Sequence, residues 1–195
     1  KAPEIKFDRK KIGHIEFSLS GHGGQGLVLA GKILAEALAI YAGKFVIQTQ
    51  SYGPEARGGA SRAEVVADDE PIDYLKVTRP DLLVALNQES LNRYLRNLKD
   101  DGILIVDPFH VKEIPAGKFR LYSLPVTQLA KTELGNTVFG NIIVLGAIAA
   151  ITDIISKENL TRAVLSYVPE MTREQNRKAL ELGLRIGREA LEQKV

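Results

Sequence analysis

Apolar and polar residues alternate over His14-Ile-Glu-Phe-Ser-Leu-Ser20, which predicts a strand at 14–20. The period then changes. Leu27, Ala30, Leu34, Ala37, Leu38 and Tyr41 fall at helical spacing, so a helix is expected at 26–42. Lys44-Phe-Val-Ile-Gln-Thr49 predicts a second strand, 50–60 a loop, and Ser61-Arg-Ala-Glu-Val-Val-Ala67 a third strand. Asp68-Asp69-Glu70-Pro71 is a turn whose carboxylates are most simply a solvated surface. Asp81–Leu86 and Gly102–Asp107 are nearly continuous apolar runs, as strands buried on both faces show. Between them, Leu91, Tyr94, Leu95 and Leu98 predict a helix at 88–98. A strand at 119–124 follows, then helices near 126–133, 138–152, 157–167 and 172–192. Strands alternating with helices predict an α/β fold: a single Rossmann-like domain with a mostly parallel sheet flanked by helices, plus C-terminal helices. Residues 1–11 read as a charged extension and 12–195 as the domain. The stretch Ile142–Ile151 is apolar almost all round, so it must lie in a core or against another chain.

Between the first strand and the first helix stands GHGGQG, a G-x-G-x-x-G pattern formed by Gly21, Gly23 and Gly26 with Gly24 added. A glycine turn there lets backbone N–H groups approach an anion, and the helix N-terminus attracts it. A dinucleotide site also needs an acidic residue about 20 positions on, at the end of the second strand. Gln48, Thr49, Gln50 and Ser51 stand there instead, so the fingerprint is incomplete.

The second unusual segment is Gln50-Ser-Tyr-Gly-Pro-Glu-Ala-Arg-Gly-Gly59. Arg57 could grip a phosphate or carboxylate in two-pronged fashion, with Tyr52 and Glu55 beside it. The plainer reading is a rigid loop with an Arg–Glu pair. GHGGQG, Gln50–Gly59, Asn87-Gln88 and Asp107-Pro108 are all expected at the carboxyl ends of strands, where ligands of such sheets bind. His22 could touch a ligand or be an ordinary loop residue. Gln25 could serve a ligand or the free N–H groups of its helix. Asn87 and Gln88 could simply cap the next helix.

Composition narrows the function. With 26 basic and 24 acidic residues the net charge is +2, too balanced to argue for nucleic acid or an anionic membrane. There is no cysteine, so this chain offers no thiolate nucleophile, disulfide or cysteine-held iron–sulfur cluster. His14, His22 and His110 lack metal-ligand spacing. No apolar run reaches the ~18 residues of a membrane helix, and a cytoplasmic protein is expected. No nucleophile elbow or paired-carboxylate signature stands out. The residues suggest a domain that binds an anionic cofactor part or a partner and leaves the chemistry elsewhere.

GHGGQG and its helix, then SYGPEARGG, PDLLVALNQ and GILIVDP, in that order and spacing, resemble the gamma subunit of 2-oxoacid:ferredoxin oxidoreductases over about Ile15 to Leu191. Pyruvate-type gamma chains carry a loop like FGxERRGAP, whereas Ser51–Gly59 is more similar to the 2-oxoglutarate type. The resemblance implies a complex that oxidatively decarboxylates a 2-oxo acid, joins the acyl group to coenzyme A and passes two electrons to ferredoxin. It implies that alpha and beta subunits hold thiamine diphosphate, and that beta or a separate delta subunit holds iron–sulfur clusters. This chain alone would hold no cofactor and carry no catalytic residue. Gly21, His22, Gly23, Gly24, Gln25 and Gly26 would face the coenzyme A side of the cleft, with Tyr52, Glu55 and Arg57 at the same edge, toward coenzyme A or the alpha subunit. Two other readings remain open at this point: a free-standing NAD-type protein, and a pure assembly module. The oligomeric state of the isolated chain also stays open.

Overall fold

The computed structural model describes residues 11–51 and 60–193. Six strands form one sheet: β1 Ile15–His22, β2 Phe45–Ser51, β3 Ala60–Asp68, β4 Leu82–Ala85, β5 Gly102–Val106 and β6 Phe119–Ser123, in the spatial order β2-β3-β1-β4-β5-β6. β1, β4, β5 and β6 pair in parallel, while β3 is antiparallel to both β1 and β2. Only β3 therefore runs against the rest, and the sheet is mixed but mostly parallel, as expected.

β3 is inserted between β1 and β2, and this removes the premise of the NAD reading. In a dinucleotide fold the acidic residue ends the strand next to β1. Here the end of β2 lies two strands away from the glycine turn and not beside it.

The helices are α1 Leu27–Glu36, α2 Gln88–Tyr94, α3 Val126–Leu134, α4 Gly140–Thr152, α5 Lys157–Tyr167 and α6 Arg173–Glu192. Two end differently from the expectation. After Glu36 the first helix widens into a π turn, Ala37–Tyr41, closed by Ala42 N–H donating to the Ala37 carbonyl at 3.0 Å. After Tyr94 the second tightens into a 3-10 turn, Leu95–Asn97. Phe17 and Leu19 of β1 and Val84 of β4 point into the larger core with α1 and α4. Leu83, Ala85, Leu104 and Val106 point the other way, onto Leu91, Tyr94 and Leu98. α4 is buried inside this chain against α1, α3, α5 and α6, which answers what covers its apolar surface.

The Asp68–Pro71 turn is more than a solvated surface. Asp69 accepts from the Ile12 and Gly13 N–H groups at 2.9 and 2.7 Å and from Lys44 Nζ at 2.7 Å. Asp68 Oδ2 lies 2.8 Å from His14 Nδ1. Alternation alone cannot show these partners, because they lie more than twenty residues away in sequence.

One polar position in the sheet is costly. Glu64 of β3 sits opposite Ser18 of β1 and is buried. Thr49 Oγ1 donates to its Oε2 at 3.4 Å, and an Arg62 guanidinium nitrogen lies 3.2 Å from its Oε1. Burial pushes the Glu64 carboxyl up, and the Arg62 charge and Thr49 hydrogen bond only partly offset it. The folded state thus holds this proton more tightly than the unfolded chain. The associated stability is present below the unfolded pKa and is lost as pH rises through the folded one. Glu64→Gln should therefore be more stable than the parent near neutrality. Urea unfolding at about pH 5 and about pH 8 checks this through the smaller pH dependence expected of the variant. A variant less stable at both would mean that the Arg62 pairing outweighs desolvation.

Candidate functional site

The strand registers decide which loops meet. His22 at the end of β1 pairs with Ala60 at the start of β3, and Ser51 at the end of β2 pairs with Arg62. The carboxyl ends of β1, β2, β4 and β5 therefore share one edge, as expected. Residues 52–59 join β2 to β3 at that edge, but Tyr52, Glu55 and Arg57 lie outside the described residues.

The first two residues of GHGGQG belong to β1. The turn proper runs from Gly23 to Gly26, with Gly24 and Gly26 in the left-handed region at φ 93° and 71°. Gln25 N–H donates to the His22 carbonyl at 3.2 Å, and the Gly26 carbonyl accepts from Ala30 N–H at 2.9 Å to begin α1. Gln25 lines a crevice beside this turn, and its Oε1 does not cap the free N–H groups of its helix. Its Oε1 accepts from the His22 N–H at 2.7 Å, so the side chain closes its own loop and occupies one of the backbone donors that an anion would use. A Cβ at Gly21 would collide with that Gln25 amide.

The turn is fastened to the opposite wall by Asn141, at the start of α4. This buried side chain donates from Nδ2 to the Gly26 carbonyl at 3.3 Å. A Cβ on Gly26 would come within 2.5 Å of the same Nδ2.

Between the two walls lies a crevice of about 840 Å³. It is lined by His22, Gly24 and Gln25 of the glycine turn, by Leu86 after β4, by Phe109 and His110 after β5, by Val126, Gln128 and Lys131 of α3, and by Val138 before α4. The size and the mixed apolar and polar lining are those of small-molecule sites. Asp107, fully buried at the end of β5, organises the far wall. Its carboxylate accepts from Phe109 N–H at 2.9 Å and from Thr127 N–H at 2.7 Å, so one side chain holds both the β5–β6 connection and the start of α3. The His110 ring lies edge-on to His22, with centroids 6.4 Å apart, and to Phe109 at 4.8 Å.

Asn87 is a cap, accepting from Ser90 N–H at 2.7 Å. Gln88 instead pins the segment after β5: it accepts from Lys112 and Glu113 N–H and donates to the Glu113 carbonyl. Of the expected residues, then, His22, Gly24 and Gln25 line the crevice, while Gly21 and Gly26 shape it. The sequence reading missed His110, Phe109, Gln128 and Lys131. The signals available were Asp107-Pro108 at a strand end and the polar break before α4. Among the described residues no group of three or more histidine and carboxylate side chains could hold a metal ion, and no helix is long and apolar enough to cross a membrane.

The sequence profile described as pyruvate ferredoxin/flavodoxin oxidoreductase matches residues 16–186. The chain is 45% identical over 176 residues to the 2-oxoglutarate synthase subunit KorC of Methanocaldococcus jannaschii, covering 89% of this chain and 94% of that one. It is similar to the crystal structure of the keto/oxoacid ferredoxin oxidoreductase gamma subunit from Geobacter sulfurreducens, at 45% identity and TM-score 0.85, covering 91% and 98% of the two chains. It shares its fold with part of the 2-oxoglutarate:ferredoxin oxidoreductase of Magnetococcus marinus, at 23% identity and TM-score 0.76, covering 92% of this chain and 31% of that chain.

Proposed function

The chain belongs to the pyruvate ferredoxin/flavodoxin oxidoreductase family, and from that premise we propose that it is the gamma subunit of a 2-oxoglutarate:ferredoxin oxidoreductase. The complex decarboxylates 2-oxoglutarate, transfers the succinyl group to coenzyme A and passes two electrons to ferredoxin. The substrate follows the KorC relative, which is a 2-oxoglutarate synthase subunit and aligns over nearly its whole length. The active domain is residues 12–195, and the complex works in the cytoplasm. Alpha and beta subunits, with delta where one exists, supply thiamine diphosphate and the iron–sulfur clusters.

One observation of this chain carries the reading. The glycine turn, the start and end of the 52–59 loop and the end of β5 all open at one sheet edge, beside the crevice. Coenzyme A fits it as a substrate: the ligand is long and partly apolar, and its phosphates suit a lining that, among the described residues, carries a lysine and two histidines and no carboxylate. In the proposed arrangement Gly23, Gly24, Gln25 and Gly26 face coenzyme A, His22 stands beside it, and Tyr52, Glu55 and Arg57 approach from the same edge.

The test is to purify the complex anaerobically from its native cells through a tag on this chain. Reduction of ferredoxin dependent on 2-oxoglutarate and coenzyme A should co-elute with the other subunits. Reconstitution without this chain should abolish that activity. Elution of the chain alone, or a preference for pyruvate, would overturn the assignment.

A further inference from the structure

We propose that Lys131, together with His22 and His110, forms a subsite in the crevice for a phosphate group of coenzyme A; this rests on the reading above and adds to it the residues that recognise the anion. The charge distribution supports it first. The chain as a whole has nearly equal numbers of acidic and basic residues. Among the described residues the crevice lining departs from that balance, with one lysine, two imidazoles and no carboxylate. A ligand bound there meets cationic and hydrogen-bonding groups from these side chains.

Lys131 is uncommitted. No ion pair among the described residues uses it. It stands in the last turn of α3 and lines the same crevice as the glycine turn. There an exposed, flexible ammonium can swing onto a bound anion without breaking an existing contact.

The imidazoles are brought together from distant parts of the chain. His22 ends β1 and His110 follows β5, yet their rings lie 6.4 Å apart and edge-on. Both line the same crevice, so both can reach one tetrahedral anion. His110 is not placed by chance packing: Asp107 holds the turn that carries it, through Phe109 N–H and the backbone carbonyl that accepts from His110 N–H at 3.1 Å.

The glycine turn is a weaker anion site than its motif suggests. Gln25 already occupies the His22 N–H. Side-chain cations on the facing wall supply the recognition that the turn leaves unfilled.

The test uses the assembled oxidoreductase with Lys131→Met, Lys131→Arg and His110→Gln. Lys131→Met should raise KM for coenzyme A by about tenfold or more, the usual effect of losing a charged hydrogen bond. Its kcat and its KM for 2-oxoglutarate should stay at wild-type values. Lys131→Arg should restore most of the affinity, and His110→Gln should show a smaller rise. Assays with 3′-dephospho-coenzyme A distinguish the two phosphate sources. If Lys131→Met leaves KM for this analogue unchanged, the subsite takes the terminal phosphate. If it raises both values equally, the subsite takes the diphosphate. An unaltered KM for coenzyme A, or a rise confined to 2-oxoglutarate, would overturn the subsite while leaving the functional reading intact. A wild-type complex without coenzyme-A-dependent turnover would overturn that reading and the subsite with it.

Discussion

Gly183→Ala should destabilise the chain by about 3 kcal/mol, although alanine is the better helix former by ~1 kcal/mol. The sign is decided by where α4 and α6 cross. A Cβ on Gly183 would overlap the backbone carbonyl of Ile143 and lie 3.0 Å from Gly146 Cα. Gly146 faces back onto α6, where its own Cβ would stand 2.8 Å from Leu184 N. Gly187 repeats the approach one turn on, with the Ala147 carbonyl 3.0 Å from its would-be Cβ. These neighbours are backbone atoms inside helices, so no side chain can rotate away. The added methyl must push the two axes apart, and α4 then loses contact along an almost fully buried helix. A loss of this size is a large part of the ~5–15 kcal/mol that holds a typical domain folded. Gly140→Ala is the control. It lies in α4, the helix that Gly183 of α6 packs against, but its Cβ would meet only Val126 Cγ1, at 3.2 Å. Chemical denaturation should place Gly140→Ala near the parent and move the Gly183→Ala midpoint well below it. Equal midpoints for Gly183→Ala and the parent would contradict the close crossing of α4 and α6.

The same crossing shows what sequence periodicity can and cannot carry. The all-apolar surface of Ile142–Ile151 announced a buried helix, and α4 is one. The pattern left open whether this chain or another covers it; the structure answers with α6 and its glycines. Strand order divides in the same way. The continuous apolar runs of β4 and β5 marked central parallel strands, since both faces of each are buried. The alternation of β3 marked a strand but not its place. The place of β3 between β1 and β2 is a long-range choice, fixed by register with β1 residues far away in sequence, from His22 paired with Ala60 to Ile15 paired with Ala67. At the site, the glycine motif was legible because turn chemistry is local. His110 and Lys131 were not, because each is ordinary within its own segment. Only the sheet edge, with Asp107 tying α3 to the end of β5, brings them opposite His22.

Gly26→Ala should abolish most of the coenzyme-A-dependent turnover of the assembled enzyme while leaving the subunit folded. Two costs act at this position. The backbone is left-handed at φ 71°, where a side chain adds roughly 1–2 kcal/mol of strain. The new methyl would also come within 2.5 Å of Asn141 Nδ2 and 3.1 Å of its Cγ. Asn141 is itself buried and joins the turn to α4, so the clash moves the two walls of the crevice relative to each other. A displacement of order 1 Å at a positioning element can lower rates by about 10²-fold, and a fall in kcat/KM of that order is the expected result. The double variant Gly26→Ala, Asn141→Ala separates the causes. If contact with Asn141 dominates, removing that side chain restores part of the activity, because the methyl then has room. If backbone strain dominates, the double variant is no better than the single one. Either result keeps the turn at the site. Full activity of Gly26→Ala, with the variant confirmed in the complex by mass, would remove GHGGQG from the coenzyme A cleft. The turn would then serve only the fold, as the bend that carries β1 into α1.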